Sequence, residues 1–354
     1  MVSAALVAAA FGFALPRFAS YHSVWASLQA MTWPYALLIG VAAAASLASY
    51  WFGICAVLPS LRLREAATVN LSSNAVANTL PAGGALGMGV SWAMLSGWGV
   101  GTEEYVLYTL LSGIWNVFAK LGLPVLALVA LLTVTRPDAV LITSAAVGLG
   151  LLAAAAAGLG LLLHSQRFAL RADLVLQRVA IIVCRLARRQ APSRIAGSLT
   201  GFRSRAAGLL AARGWWITIT TAAANVILWL VLLACLRGTG LSQAEVSWQT
   251  SLAAYAFVRL LTVLPLTPGG LGITELGLVG VLAAEAGPRA SAQVTAAVLL
   301  YRAVTYLPPI PLGAAAFLVW RHAPALLHPV PVSAPSASPS ASPEPEVATL
   351  GNTP

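Results

Sequence analysis

Long runs of Leu, Ala and Val recur along the chain, without the alternation of apolar and polar positions that marks a half-buried strand. Their length predicts membrane helices, since about 20 residues cross the hydrocarbon core of a bilayer. The runs lie at 2–15, 33–58, 105–134, 139–163, 215–236, 246–265 and 290–320. Two further apolar stretches, 66–97 and 266–287, are interrupted by Pro and Gly. Each is long enough to enter and leave the bilayer on one side. The pattern predicts an all-α polytopic membrane protein with about 7–8 transmembrane helices and two broken, re-entrant segments, because lipid admits only helices or closed barrels.

Composition agrees. Only 8% of the 354 residues are charged and mean hydropathy is +0.85, where a soluble domain carries about a quarter charged residues. The net charge of +10 would suggest nucleic acid in a soluble protein. Here it reads through the excess of Arg and Lys in cytoplasmic loops, and no nucleic-acid partner is expected. Residues 164–213 hold most of that charge and form the one long hydrophilic segment, with Asp173 its sole acid. Within it Arg171, Arg178, Arg185 and Arg189 fall on one helical face, and Leu176, Val179, Val183 and Leu186 on another. The segment is predicted to be a basic amphipathic loop on the cytoplasmic face of the membrane. Residues 1–163 then form a first membrane half, 214–322 a second, and 323–354 a disordered Pro/Ser/Ala-rich tail. Cys55, Cys184 and Cys235 are dispersed, as are the four histidines, so no metal site, cofactor or nucleophile–His–acid set is expected.

The two broken segments resemble each other. "TLPAGGALGMG" at 79–89 and "VLPLTPGGLGI" at 263–273 share Leu-Pro, a short gap, Gly-Gly and a further Gly. Pro81 and Pro265 are 184 residues apart, and Gly83-Gly84 and Gly269-Gly270 are 186 apart. Downstream, Lys120 in "SGIWNVFAKLGLP" and Arg302 in "AAVLLYRAVTYLPPIP" are 182 apart. This reads as an internal duplication. Helix breakers leave backbone N–H and C=O groups unpaired, and lipid cannot satisfy them. Each break is therefore expected to line a protein-enclosed or wet cavity. A helix restarting after glycine would aim its amides there, a cradle for phosphate or carboxylate. Pro81, Gly83, Gly84, Pro265, Pro268, Gly269, Gly270 and Gly272 are the candidate cradle. Thr274 is a candidate N-cap, and Glu275 in the first turn could pair with Arg302, Arg259 or a ligand's amine.

Arg259, Arg302 and Lys120 lie inside apolar runs, where each costs about 2.5–3.5 kcal/mol on insertion scales. Neighbours four residues away share their faces: Tyr255 with Arg259, Tyr306 with Arg302, Asn116 with Lys120, and Asn74 with Asn78. These polar stripes are the candidate substrate-binding residues.

"RLLTVLPLTPGGLGITELGLVGVL…AAVLLYRAVTYLPPIPLG" resembles the C-terminal signature of the lysylphosphatidylglycerol synthase transmembrane region, a flippase-like membrane family. The resemblance rests on Pro265, Pro268, Gly269, Gly270, Gly272, Glu275, Arg302 and Tyr306, and more weakly on "NLSSNAVANTLPAGG" in the first half. It implies a polytopic bundle with re-entrant helices. In aminoacyl-phosphatidylglycerol synthases the similar region moves the charged lipid between leaflets. The family's first motif commonly continues into an acid and an arginine, and "GGALGMGVSWAML" has neither. The 32-residue tail at 323–354 is too short for a soluble aminoacyl-transferase domain, so no enzymatic activity is expected. The expected function is binding, and translocation, of an amphiphile with an anionic head group: a phospholipid, an aminoacyl-phospholipid or a polyprenyl-phosphate-linked precursor. The alternatives are a secondary transporter of a small anionic solute and a non-catalytic partner in envelope lipid or glycan biosynthesis. Membrane lipids are the expected partners, together with a separate lipid-modifying enzyme or glycosyltransferase.

Overall fold

A computed structural model of the chain describes residues 21–80, 83–132, 139–164, 198–262 and 270–322. The expected first span 2–15, the amphipathic stretch 171–189 and the tail 323–354 lie outside these residues, as do Pro81, Pro265, Pro268 and Gly269. Every regular element among the described residues is helical. In chain order they are α1 (Tyr21–Gln29), α2 (Trp33–Val57), α3 (Leu63–Thr79), α4 (Gly83–Gly97), α5 (Thr102–Leu131), α6 (Ala139–His164), α7 (Ser198–Gly238), α8 (Trp248–Leu261), α9 (Ile273–Ala286), α10 (Ser291–Tyr306) and α11 (Pro309–His322).

Among the described residues, four stretches are long and apolar enough to cross a membrane: Trp33–Val57, Thr102–Leu131, Ser204–Gly238 and Pro288–His322. Local chemistry sets the boundaries. Pro34 sits in the first turn of α2, where its missing N–H is no loss. The Arg62 N–H at the start of α3 donates to Glu65 Oε2 at 2.7 Å, and Ser247 Oγ caps α8 by accepting from the Thr250 N–H at 3.0 Å. Two expected boundaries shift. The span anticipated at 215–236 belongs to a helix that begins at Ser198, because an apolar run marks where lipid starts and not where helical hydrogen bonding starts. The run 290–320 is two helices with a step at Leu307-Pro308, where proline withholds the amide that would continue the ladder. At 14 residues each, α8 and α9 rise about 21 Å, short of a hydrocarbon core about 30 Å thick.

Helix α3 organises the first half. It packs against α4 on one side and α11 on the other, and both contacts are made by glycine. A Cβ on Gly83 would collide with the Ala77 backbone, and one on Gly87 would lie 2.7 Å from the Ser73 carbonyl oxygen. The positions pair as 77 with 83 and 73 with 87, an antiparallel register with glycine every fourth residue, which lets two backbones approach closely. Gly313 of α11 meets Leu71 in the same way, with Ala75 Cβ 2.7 Å from where its own Cβ would stand. Between these two seams α3 turns a third face inward, the stripe of Asn70, Asn74 and Asn78.

The second half is built on α7, which packs along α2 and contacts α5, α8 and α10. The largest apolar core joins Leu232 and Leu236 of α7, Ala254 and Val258 of α8, Leu278 and Leu282 of α9, and Val294 and Val298 of α10. Gly277 lets α9 lie against Val258. Each half thus contains a helix, a break and a second helix, followed by a helix that carries a cation: α3, α4 and α5 with Lys120, and α8, α9 and α10 with Arg302.

Candidate functional site

The helices border a half-open cavity of about 660 Å³ lined by residues of α2, α3, α5, α7, α8, α9, α10 and α11. The three cations singled out in the sequence, Lys120, Arg259 and Arg302, line it. Lys120 is buried and its Nζ donates to the Thr262 carbonyl oxygen at 3.3 Å. That carbonyl closes the C-terminal end of α8, where a cation is favoured by the helix dipole. One turn back, Arg259 donates from Nη2 to Asn225 Oδ1 at 3.3 Å. Its guanidinium carbon stands 5.9 Å from the centroid of the Tyr255 ring, and its buried Nε has no hydrogen-bond partner among the described residues. Arg302 donates from Nε to Glu275 Oε1 at 2.7 Å and lies 4.9 Å from the Tyr306 ring centroid.

Glu275 is fully buried and serves two groups at once. Oε1 takes the Arg302 guanidinium, and Oε2 accepts the Gly272 N–H at 2.7 Å. One carboxylate thereby ties the start of α9 to the middle of α10. The restart needs glycine: Gly270 and Gly272 have φ of 69° and 84°, in the left-handed region that costs other residues energy. Gly270, Ile273 and Thr274 face the cavity, so the N-terminal end of α9 borders it. Across the cavity, the Tyr306 hydroxyl donates to the Asn78 carbonyl oxygen at 2.6 Å and links the two halves. No carboxylate lines the cavity among the described residues. The lining is therefore positively charged.

The model of the lysylphosphatidylglycerol synthase TM region family matches residues 1–313. The chain belongs to this family. The comparison with curated proteins gives no match. As a member of the lysylphosphatidylglycerol synthase TM region family, with several long apolar helices, the chain is a multi-pass integral membrane protein tied to lipid metabolism.

Of the residues singled out in sequence, this family member gathers Asn74, Asn78, Asn116, Lys120, Arg259, Gly270, Arg302 and Tyr306 on one cavity. Tyr255, Glu275 and Gly272 stand behind its wall, supporting Arg259, Arg302 and the start of α9 respectively. Gly83 is spent on the α3–α4 contact, and Gly84 is exposed with open space beside it. Neither borders the cavity, so among the described glycines of the two breaks the one that does is Gly270. Asn70, Asn225, Tyr50 and Tyr301 also line the cavity and were missed. Asn70 was legible, being one turn before Asn74. Asn225 is a lone amide in an apolar run, and the two tyrosines carry no local mark of facing inward.

Proposed function

We propose that the chain binds an amphiphile with an anionic head group in this cavity and carries it between leaflets. The observation that carries the reading is the convergence of Lys120, Arg259 and Arg302 on a lining to which no described residue contributes a carboxylate. Arg302 has Glu275, but Lys120 and Arg259 have no carboxylate partner among the described residues, and burying such charge is costly unless an anion completes it. Family membership ties the chain to lipid, and a lipid phosphate supplies such an anion. The reading includes re-entrant placement of the pairs α3–α4 and α8–α9, related by duplication, since α8 and α9 are too short to span singly. It also places the chain in a bacterial cytoplasmic membrane, with 164–213 on the cytoplasmic side because its arginines resist export. The chain acts without catalysis. A separate lipid-modifying enzyme or glycosyltransferase supplies or receives the lipid.

The test is a leaflet-exposure assay on purified protein in proteoliposomes doped with a short-chain fluorescent phosphatidylglycerol. Wild type should expose the lipid to an external quencher faster than empty vesicles, and Arg259→Gln should abolish the difference while staying monodisperse in detergent. A folded Arg259→Gln with the wild-type rate overturns the reading. So does transport of a soluble organic phosphate with no movement of lipid.

A further inference from the structure

The chain has six asparagines, at 70, 74, 78, 116, 225 and 352, and the first five all line the one cavity. They come from three helices: Asn70, Asn74 and Asn78 from α3, Asn116 from α5 and Asn225 from α7. A residue so rare elsewhere is concentrated where it meets the ligand space. Asn225 is committed to the protein, accepting from Arg259 and donating to the Thr221 carbonyl oxygen at 2.9 Å. The amides of Asn74, Asn78 and Asn116 make no hydrogen bond to other described residues.

The chemistry of these groups differs from what a bare phosphate needs. A phosphate oxygen only accepts, and Lys120, Arg259 and Arg302 already supply donors. An asparagine amide presents two donors and one acceptor side by side, which matches hydroxyl groups that each donate and accept. The acceptors on Asn74, Asn78 and Asn116, which line the cavity, can take donors from the ligand. An ammonium could supply one, but it would enter a lining that carries three cations, and the Glu275 carboxylate has one oxygen on Arg302 and the other on the Gly272 amide. A hydroxyl supplies the donor without that repulsion.

We propose that the cavity is built for a polyhydroxylated phosphate head group, a polyol or glycosyl phosphate, and discriminates against an aminoacylated one. The cations take the phosphate, and the α3 stripe with Asn116 takes the hydroxyls. The inference rests on reading the cavity as an anionic head-group site, and the experiment separates the two.

Binding to the detergent-solubilised full chain is measured for phosphatidylinositol, phosphatidate and lysylphosphatidylglycerol of the same acyl length, and for free myo-inositol 1-phosphate. Phosphatidylinositol should bind at least about tenfold tighter than phosphatidate, the worth of one to two net hydrogen bonds, and lysylphosphatidylglycerol should bind weakest. The double variant Asn74→Ala/Asn116→Ala should lose most of the phosphatidylinositol preference and weaken phosphatidate far less. If that variant does not fold, the ranking of lipids on wild type decides alone. Equal binding of phosphatidylinositol and phosphatidate, or tightest binding of lysylphosphatidylglycerol, overturns the inference; if Arg259→Gln still weakens phosphatidate, the anionic reading stands. If Arg259→Gln weakens none of the lipids, the anionic reading falls and takes the inference with it. Free inositol phosphate binding as tightly as the lipid supports the polyol phosphate class and assigns it to a soluble source. Free inositol phosphate binding far more weakly assigns it to the lipid.

Discussion

Replacing Glu275 by glutamine keeps the side chain's shape and removes its charge, and the structure fixes what that costs. The carboxylate uses two different oxygens, Oε1 for the Arg302 Nε–H and Oε2 for the Gly272 N–H, each at 2.7 Å. Glutamine has one acceptor oxygen. Whichever contact it keeps, its NH2 group faces a donor at the other. Losing the charge-assisted bond to Arg302 costs about 1.5–3 kcal/mol; losing the cap on α9 instead costs about 1 kcal/mol. A donor pressed against a donor in a fully buried site adds to either. Glu275→Gln should therefore destabilise the protein by about 2–4 kcal/mol, and Glu275→Ala by at least as much, because it forfeits both contacts. Arg302→Gln leaves the buried carboxylate without its cation, a loss of about 3–5 kcal/mol. The double variant should fall well short of the sum, with a coupling energy of about 1–3 kcal/mol. Reversible unfolding in detergent micelles, followed by circular dichroism with detergent composition held fixed, measures wild type and the four variants. A Glu275→Gln midpoint within about 0.5 kcal/mol of wild type, or strict additivity in the double variant, would refute the claim that this pair holds the second break to α10.

The adjacent glycines of the first break should behave oppositely. Gly83→Ala drives a methyl into the Ala77 backbone and should cost about 1–3 kcal/mol, whereas Gly84→Ala enters open space within a helix and should be neutral or stabilising by up to about 1 kcal/mol, as thermal midpoints will show. Lys120→Met removes a buried ammonium that costs about 2.5–3.5 kcal/mol at a helix centre, so the variant should be at least as stable as wild type yet bind phosphatidate more weakly in the same detergent. Arg237 donates to the Leu241, Ser242 and Val246 carbonyl oxygens and to Gln243 Oε1; Arg237→Met should free the loop after α7, raising amide exchange across 239–247 and leaving α7 unchanged. In that loop the Ser242 N–H and hydroxyl donate to Glu245 and hold its carboxyl below the usual carboxylate range. A depressed folded-state value means the contact contributes fully above the ordinary pKa of about 4.3 and is lost as pH falls through the folded value. The protection of the Ser242 amide, corrected for intrinsic exchange, should drop only in that acid window, and a loss near neutral pH would contradict the assignment.

The sequence by itself determined the class of the protein and its raw materials. Lipid is a uniform solvent that admits only self-satisfied backbone, so long runs such as 33–58 and 105–134 could be read as helices with no tertiary knowledge, and α2 and α5 occupy nearly those ranges. Position along one helix was legible for the same reason. The four-residue spacing of Tyr255 with Arg259 and of Tyr306 with Arg302 became stacked contacts of 5.9 and 4.9 Å. Resemblance of the second break to a family signature was legible too, and the family match extends over residues 1–313. Function of an individual glycine was not. Gly83 and Gly270 occupy similar motifs, yet one closes a helix–helix seam and the other turns the chain at the cavity wall, because the role depends on which surface a neighbouring helix presents. Only the tertiary structure decided that Asn78 meets Tyr306 across 228 residues, that Glu275 chooses Arg302 over Arg259, and that amides from α3, α5 and α7 share one space. Helix periodicity fixes which residues share a face. Which faces confront each other is set by close packing between helices distant in sequence, and that packing leaves no local signature in the chain.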